Sequence, residues 1–133
     1  MTNRVKGPFK VTLSPQATES EKMDASLGRL TIDKHFEGEL EAHSKGQMLS
    51  AGGNVGGSGG YVAIEKVSGV LKGRKGSFIL QHNATMNRGE PALNIIVVPD
   101  SGSDELTGLS GNMNIIIEED GKHFYDFSFE LGD

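Results

Sequence analysis

The sequence predicts an all-β domain: a closed antiparallel eight-stranded β-barrel with little helix. Three observations carry this. Apolar and polar residues alternate in about eight short segments, the spacing at which a strand shows one face to a core. The chain has 19 glycines in 133 residues, and turn pairs such as Arg88-Gly89 and Asp120-Gly121 stand between alternating segments. Segments so closely spaced form hairpins, and rolling hairpins into a barrel removes the exposed edges of a flat sheet. A two-sheet sandwich is the structural alternative.

Residues 1–6 read as a loose end. In 9–13, Phe9, Val11 and Leu13 alternate with Lys10 and Thr12, and Ser14 and Pro15 stop the strand. Residues 16–24 are polar with no apolar face, either one helical turn or a loop. In 27–36, Leu30, Ile32 and Phe36 share a face that Lys34 interrupts. The strand is expected to run on through Gly38, Leu40 and Ala42 with a bend at Gly38, before a turn near Lys45-Gly46. The glycine-rich run 52–60 reads as a flexible connector. It has no GK[ST] ending and no strand-loop-helix context, so it is not read as a phosphate loop.

Residues 61–83 are the centre of the pattern: two strands and a turn. Tyr61, Ala63, Glu65 and Val67 fall on one side of the first strand; Phe78, Leu80 and His82 share a side of the second. A pairing centred near Gly73 sets Glu65 about opposite His82. Residues 93–98 form an apolar strand closed by Pro99, and 100–105 a tight acidic loop. Residues 106–118 are a strand broken at Gly108 and Gly111. Asp120-Gly121 predicts a two-residue primed turn into a last strand, 122–131, with His123, Tyr125, Phe127 and Phe129 on one face.

The length suits one domain, 1–133, with one core. There is no cysteine, which excludes disulfides and thiolate chemistry. A net charge of −5 argues against nucleic acid as a partner. The N-terminal stretch lacks a signal-peptide apolar run, and nothing approaches a membrane-spanning length; a cytoplasmic location is expected.

Five motifs carry a resemblance: F-x-G-x-L at 36–40, Y-V-x-x-E at 61–65, G-R-x-G-S-F-x-L-Q-H at 73–82, V-P-x-S-G-x-x-x-L-x-G-L-x-G at 98–111 and G-x-H-x-Y at 121–125. Together they resemble a bacterial family known as domain of unknown function 3224. Asp100 stands where that pattern leads one to expect glycine, and Asp104 where it leads one to expect a small residue. The resemblance implies a barrel like that of allene oxide cyclase, often oligomeric, and no established activity.

Candidate site residues follow from polar exceptions on apolar faces. Glu65, His82 and Tyr125 form a candidate catalytic set. A buried carboxylate and imidazole make a proton-transfer couple, or else a structural pair satisfying each other's polar atoms. Tyr61, Ala63, Phe78, Leu80 and Phe127 are expected to line an apolar ligand cavity. The four histidines, His35, His43, His82 and His123, lack close metal-ligand spacing; no metal and no cofactor are expected. The leading expectation is a barrel that binds a small apolar molecule. The alternatives are a cofactor-free isomerase or cyclase using Glu65, His82 and Tyr125, and a non-catalytic homo-oligomer with Val62, Ile64 and Ile79 in its contacts.

Overall fold

The computed structural model describes residues 2–16 and 26–131; the reading of 16–24 as turn or loop falls almost wholly outside them. Eight strands follow in order: β1 (Asn3–Pro15), β2 (Leu27–Phe36), β3 (Leu40–Gly52), β4 (Gly59–Leu71), β5 (Arg74–Asn87), β6 (Glu90–Val97), β7 (Ser110–Ile117) and β8 (His123–Glu130). Each pairs antiparallel with the next, and β8 returns to pair with β1 from Asn3–Phe129 to Phe9–His123. This is the predicted closed barrel. The only helical element among the described residues is a 3-10 turn, Asp104–Leu106.

Alternation decides what lies inside. Phe9, Phe36, Leu40, Val67, Leu71, Phe78, Leu80, Ile95, Val97, Tyr125, Phe127 and Phe129 are all buried. Phe127 stacks on Phe78 with ring centroids 5.7 Å apart, and Phe36 meets Tyr125 edge-on at 5.7 Å. Fully burying side chains of this size contributes about 1.5–3 kcal/mol each. The packed core fills the end of the barrel that carries the β2–β3 turn, the β4–β5 turn and the long β6–β7 connection.

Several local expectations are corrected. The strand from 27 does not run through Gly38. The chain reverses there, Gly38 has a φ of +105°, and β2 and β3 pair as a hairpin from Phe36–Ala42 to Leu27–Ala51. Lys45-Gly46 is no turn but mid-strand. A Cβ on Gly46 would lie 2.1 Å from the Ile64 carbonyl oxygen and 2.6 Å from Glu65 Cα, so glycine serves close approach of β3 to β4. Residues 3–6, read as a loose end, are paired with β8.

The glycine-rich run is a defined connection. Gly53 N–H donates to the Ser58 carbonyl, and Gly89 N–H donates to the Gly57 carbonyl, which ties the loop to the β5–β6 turn. At 118–122 the turn is longer than predicted. Gly121 N–H donates to Glu118 O, Glu118 N–H to Lys122 O, and Gly121 alone of the five has positive φ (+88°). That is a type I turn ending in a glycine bulge.

The β6–β7 connection lies along the edge of β5. Ser101 Oγ accepts from Ile79 N–H at 3.0 Å and Ser103 Oγ accepts from Ser77 N–H at 3.1 Å, completing a strand edge that β6 does not reach. Asp100 has a φ of +60°, a left-handed position that suits the glycine the resemblance led one to expect.

The opposite end of the barrel is open. Among the described residues β6 and β7 pair only at Ile95–Met113 and Ile96–Asn112, then separate. β4 and β5, by contrast, pair from Gly59–Met86 to Leu71–Arg74. Leu13, Met86, Leu93 and Ile117 stand on the inward face by register, yet are 43, 42, 36 and 64 % exposed.

Candidate functional site

Between the packed end and the open end lies a buried ionic cluster. β4 places Glu65 inside between Ala63 and Val67, and the side chain is fully buried. β5 places His82 inside, beyond Phe78 and Leu80. The β4–β5 hairpin turns through Lys72-Gly73, both with positive φ (48° and 81°), the conformation of a two-residue primed turn. That turn pairs Leu71 with Arg74, so Glu65 faces Leu80 and His82 faces Ala63. The expected pairing, about Gly73, is therefore displaced by two residues. An even displacement keeps every side chain on its face, and Glu65 and His82 meet diagonally.

His82 Nε2 lies 2.6 Å from Glu65 Oε2. Lys34, the residue that interrupts the apolar face of β2, donates from Nζ to the same oxygen at 2.8 Å. Ser44 on β3 donates from Oγ to Glu65 Oε1 at 2.8 Å. Lys34 is 5 % exposed, and its ammonium also lies 5.4 Å from the Phe9 ring centroid and 5.9 Å from that of Phe36. The aromatic faces are thus placed to stabilise the part of the cation that the carboxylate does not reach. On the side of the open end, Tyr61 Oη lies 3.4 Å from His82 Nδ1.

The electrostatics follow from these contacts. Burial alone would raise the Glu65 pKa, but the bond from His82 and the Lys34 charge outweigh it and hold the carboxyl at about 2. Glu65 is therefore ionised and can only accept hydrogen bonds. An oxygen so held is a weak base, which favours the structural half of the two readings of the Glu65–His82 pair. Burial, and then the Glu65 charge, raise the pKa of Tyr61. Among the described residues no group of three or more His, Cys, Asp or Glu could hold a metal ion. His35 and His43 are cross-strand partners on the outer face, where His43 Nε2 lies 2.7 Å from Asp33 Oδ1.

The family model described as "Protein of unknown function (DUF3224)" matches residues 5–129. The chain belongs to the DUF3224 family. A crystal structure of a DUF3224 protein of unknown function from Shewanella oneidensis MR-1 is similar at 50% identity, with a TM-score of 0.92, over 100% of this chain and 99% of that one. No curated protein matches.

In this DUF3224 barrel the candidate set divides. Glu65 and His82 are brought together; Tyr125 is not joined to them. Its hydroxyl donates to the Glu37 carbonyl at 2.7 Å and accepts from Leu40 N–H at 3.2 Å. It thereby holds the β2–β3 turn against β1, where Gly7 leaves room: a Cβ there would lie 2.6 Å from that hydroxyl oxygen. Of the expected cavity lining, Phe78, Leu80 and Phe127 lie in the packed core at 0–1 % exposure, and Ala63 is buried beside His82. They fill the barrel rather than face an opening. Tyr61, partly open, is the member that reaches the open end.

Two members of the cluster were missed in the sequence, Lys34 and Ser44. Lys34 carried a signal, since its register placed it among Leu30, Ile32 and Phe36. A lysine cannot be left unpaired there, and Glu65 is the matching charge. Ser44 shares a face with Leu40 and Ala42 but carries nothing beyond that alternation.

Proposed function

We propose that the barrel binds a small, largely apolar molecule at its open end, above the Lys34–Glu65–His82 cluster. The observation that supports this is the exposed inner wall where β6 and β7 separate: Leu13, Met86, Leu93 and Ile117 face inward by register but remain in contact with solvent. Tyr61, Leu30, Met48 and Ile115 continue that wall toward the cluster and are partly buried. A pocket with apolar walls and a few fixed polar groups at its base is the usual form of a small-molecule site.

A separate cleft of about 670 Å³, where β1 runs past the start of β8, is lined by Phe9, Val11 and His123 together with Lys10, Lys122 and Phe124, and by none of these wall residues. It does not contain Glu65 or His82. It approaches the cluster through Phe9, the ring closest to the Lys34 ammonium. The ionic cluster is a rigid polar base in this reading and does no proton transfer.

The neutral dye N-phenyl-1-naphthylamine tests the reading. Its fluorescence should rise saturably with one site per chain. Leu93→Arg, on the inner wall, should weaken binding, while Ile64→Arg, on the outer face, should leave it unchanged. A dye that does not saturate, or that responds to position 64 and not to 93, overturns the proposal.

A further inference from the structure

The polar atoms at the base of the open end select a chemical class of ligand. This rests on the apolar-site reading above. Glu65 can only accept, so His82 Nε2, 2.6 Å away, carries the hydrogen of that bond. The Lys34 ammonium already balances the Glu65 charge at 2.8 Å. In the tautomer with its hydrogen on Nε2, Nδ1 is the acceptor of the ring, and its hydrogen-bonding neighbour is Tyr61. The Tyr61 hydroxyl reaches it at only 3.4 Å, well beyond the usual length for such a bond. The Tyr61 ring is tilted 47° to the imidazole with centroids 6.0 Å apart, and Tyr61 is partly exposed.

This leaves an accepting nitrogen beside a hydroxyl that is only loosely hydrogen-bonded to it. A group that fits both must donate and accept at once. An ether or carbonyl oxygen only accepts, and a carboxylate would add a second anion near Glu65. A hydroxyl does both. We propose that the molecule taken at the open end is a neutral apolar alcohol or phenol, its O–H donating to His82 Nδ1 while its oxygen accepts from Tyr61. The walls set its apolar body; the Tyr61–His82 pair sets its one polar group.

The test is displacement of N-phenyl-1-naphthylamine by two molecules of equal size, 1-decanol and methyl nonyl ether. One net hydrogen bond corresponds to roughly fivefold, so the alcohol should displace the dye at about one-fifth the concentration of the ether. Tyr61→Phe, which keeps the ring, removes a bond that both oxygens can accept, so both competitors should weaken by a similar factor and the roughly fivefold preference for the alcohol should remain. Equal displacement by both in the unmodified protein overturns the hydroxyl assignment while the apolar site stands. A preference that disappears in Tyr61→Phe overturns it also, because the distinguishing bond would then be to Tyr61 and not to His82. Dye that never binds removes both readings. The comparison in the unmodified chain decides even if the variant fails to fold.

Discussion

At the scale of single residues, Glu65 is the point on which the interior turns. Its oxygens take hydrogen bonds from Lys34, Ser44 and His82, and all are shut from water. Removing one partner of a buried ion pair leaves the other charge uncompensated, at a cost of about 3–5 kcal/mol. Glu65→Gln should therefore lower the unfolding free energy by that order in urea titration. Lys34→Met combined with Glu65→Gln should cost less than Glu65→Gln alone, because no charge is then stranded. Acid should act through the same carboxyl. Its folded pKa of about 2 lies below the ordinary 4.5, so the unfolded chain takes up this proton first as pH falls. Stabilisation by Glu65 is complete above about pH 4.5 and is lost progressively toward pH 2. Over that window the urea midpoint should fall more steeply for the unmodified chain than for the double variant. Glu65 and His82 were legible in the sequence because each breaks an apolar alternation. Lys34 breaks one too, but its partner lies two strands away, and alternation within one strand cannot name a partner in another.

At the scale of elements, alternation fixed the faces while glycine left the turns ambiguous. Gly38 and Gly46 look alike in the chain. One supplies a positive φ for a turn; the other admits the neighbouring backbone. Only the register of β3 against β4 separates those uses, and that pairing is a long-range fact. The difference is measurable. Gly73→Ala meets no atom within 4 Å and should cost about 1 kcal/mol, from the strain of its left-handed φ alone. Gly46→Ala drives a methyl into the Ile64 carbonyl and should cost several times as much, or abolish folding. The acidic loop behaves likewise. Asp100→Gly relieves a φ of +60° and should stabilise by up to about 1 kcal/mol. Ser101 and Ser103 lie in the stretch 100–105 that the sequence presents as a tight acidic loop. Their role as acceptors for β5 depends on where the connection lies, which the local pattern does not encode.

At the scale of the whole molecule, the barrel was legible and its asymmetry was not. Alternating segments and hairpin turns lead to closure, and β8 does close on β1. That β6 and β7 pair over two positions and then part is a property of two strands joined by a long connection, and no segment of the sequence announces it. This parting opens one end of the barrel while the other is packed with Phe36, Phe78 and Phe127. The outer face has its own exposed apolar residues, Val62 at 51 % and Ile64 at 54 %, and any account of ligand binding has to distinguish that surface from the inner wall. Methyl-resolved nuclear magnetic resonance with N-phenyl-1-naphthylamine does so most directly. Nuclear Overhauser contacts from the dye to the methyls of Leu30, Leu93, Ile115 and Ile117, with none to Val62 or Ile64, are the predicted result. Contacts to Val62 and Ile64 instead, or to no methyl at all, would contradict a ligand site at the open end.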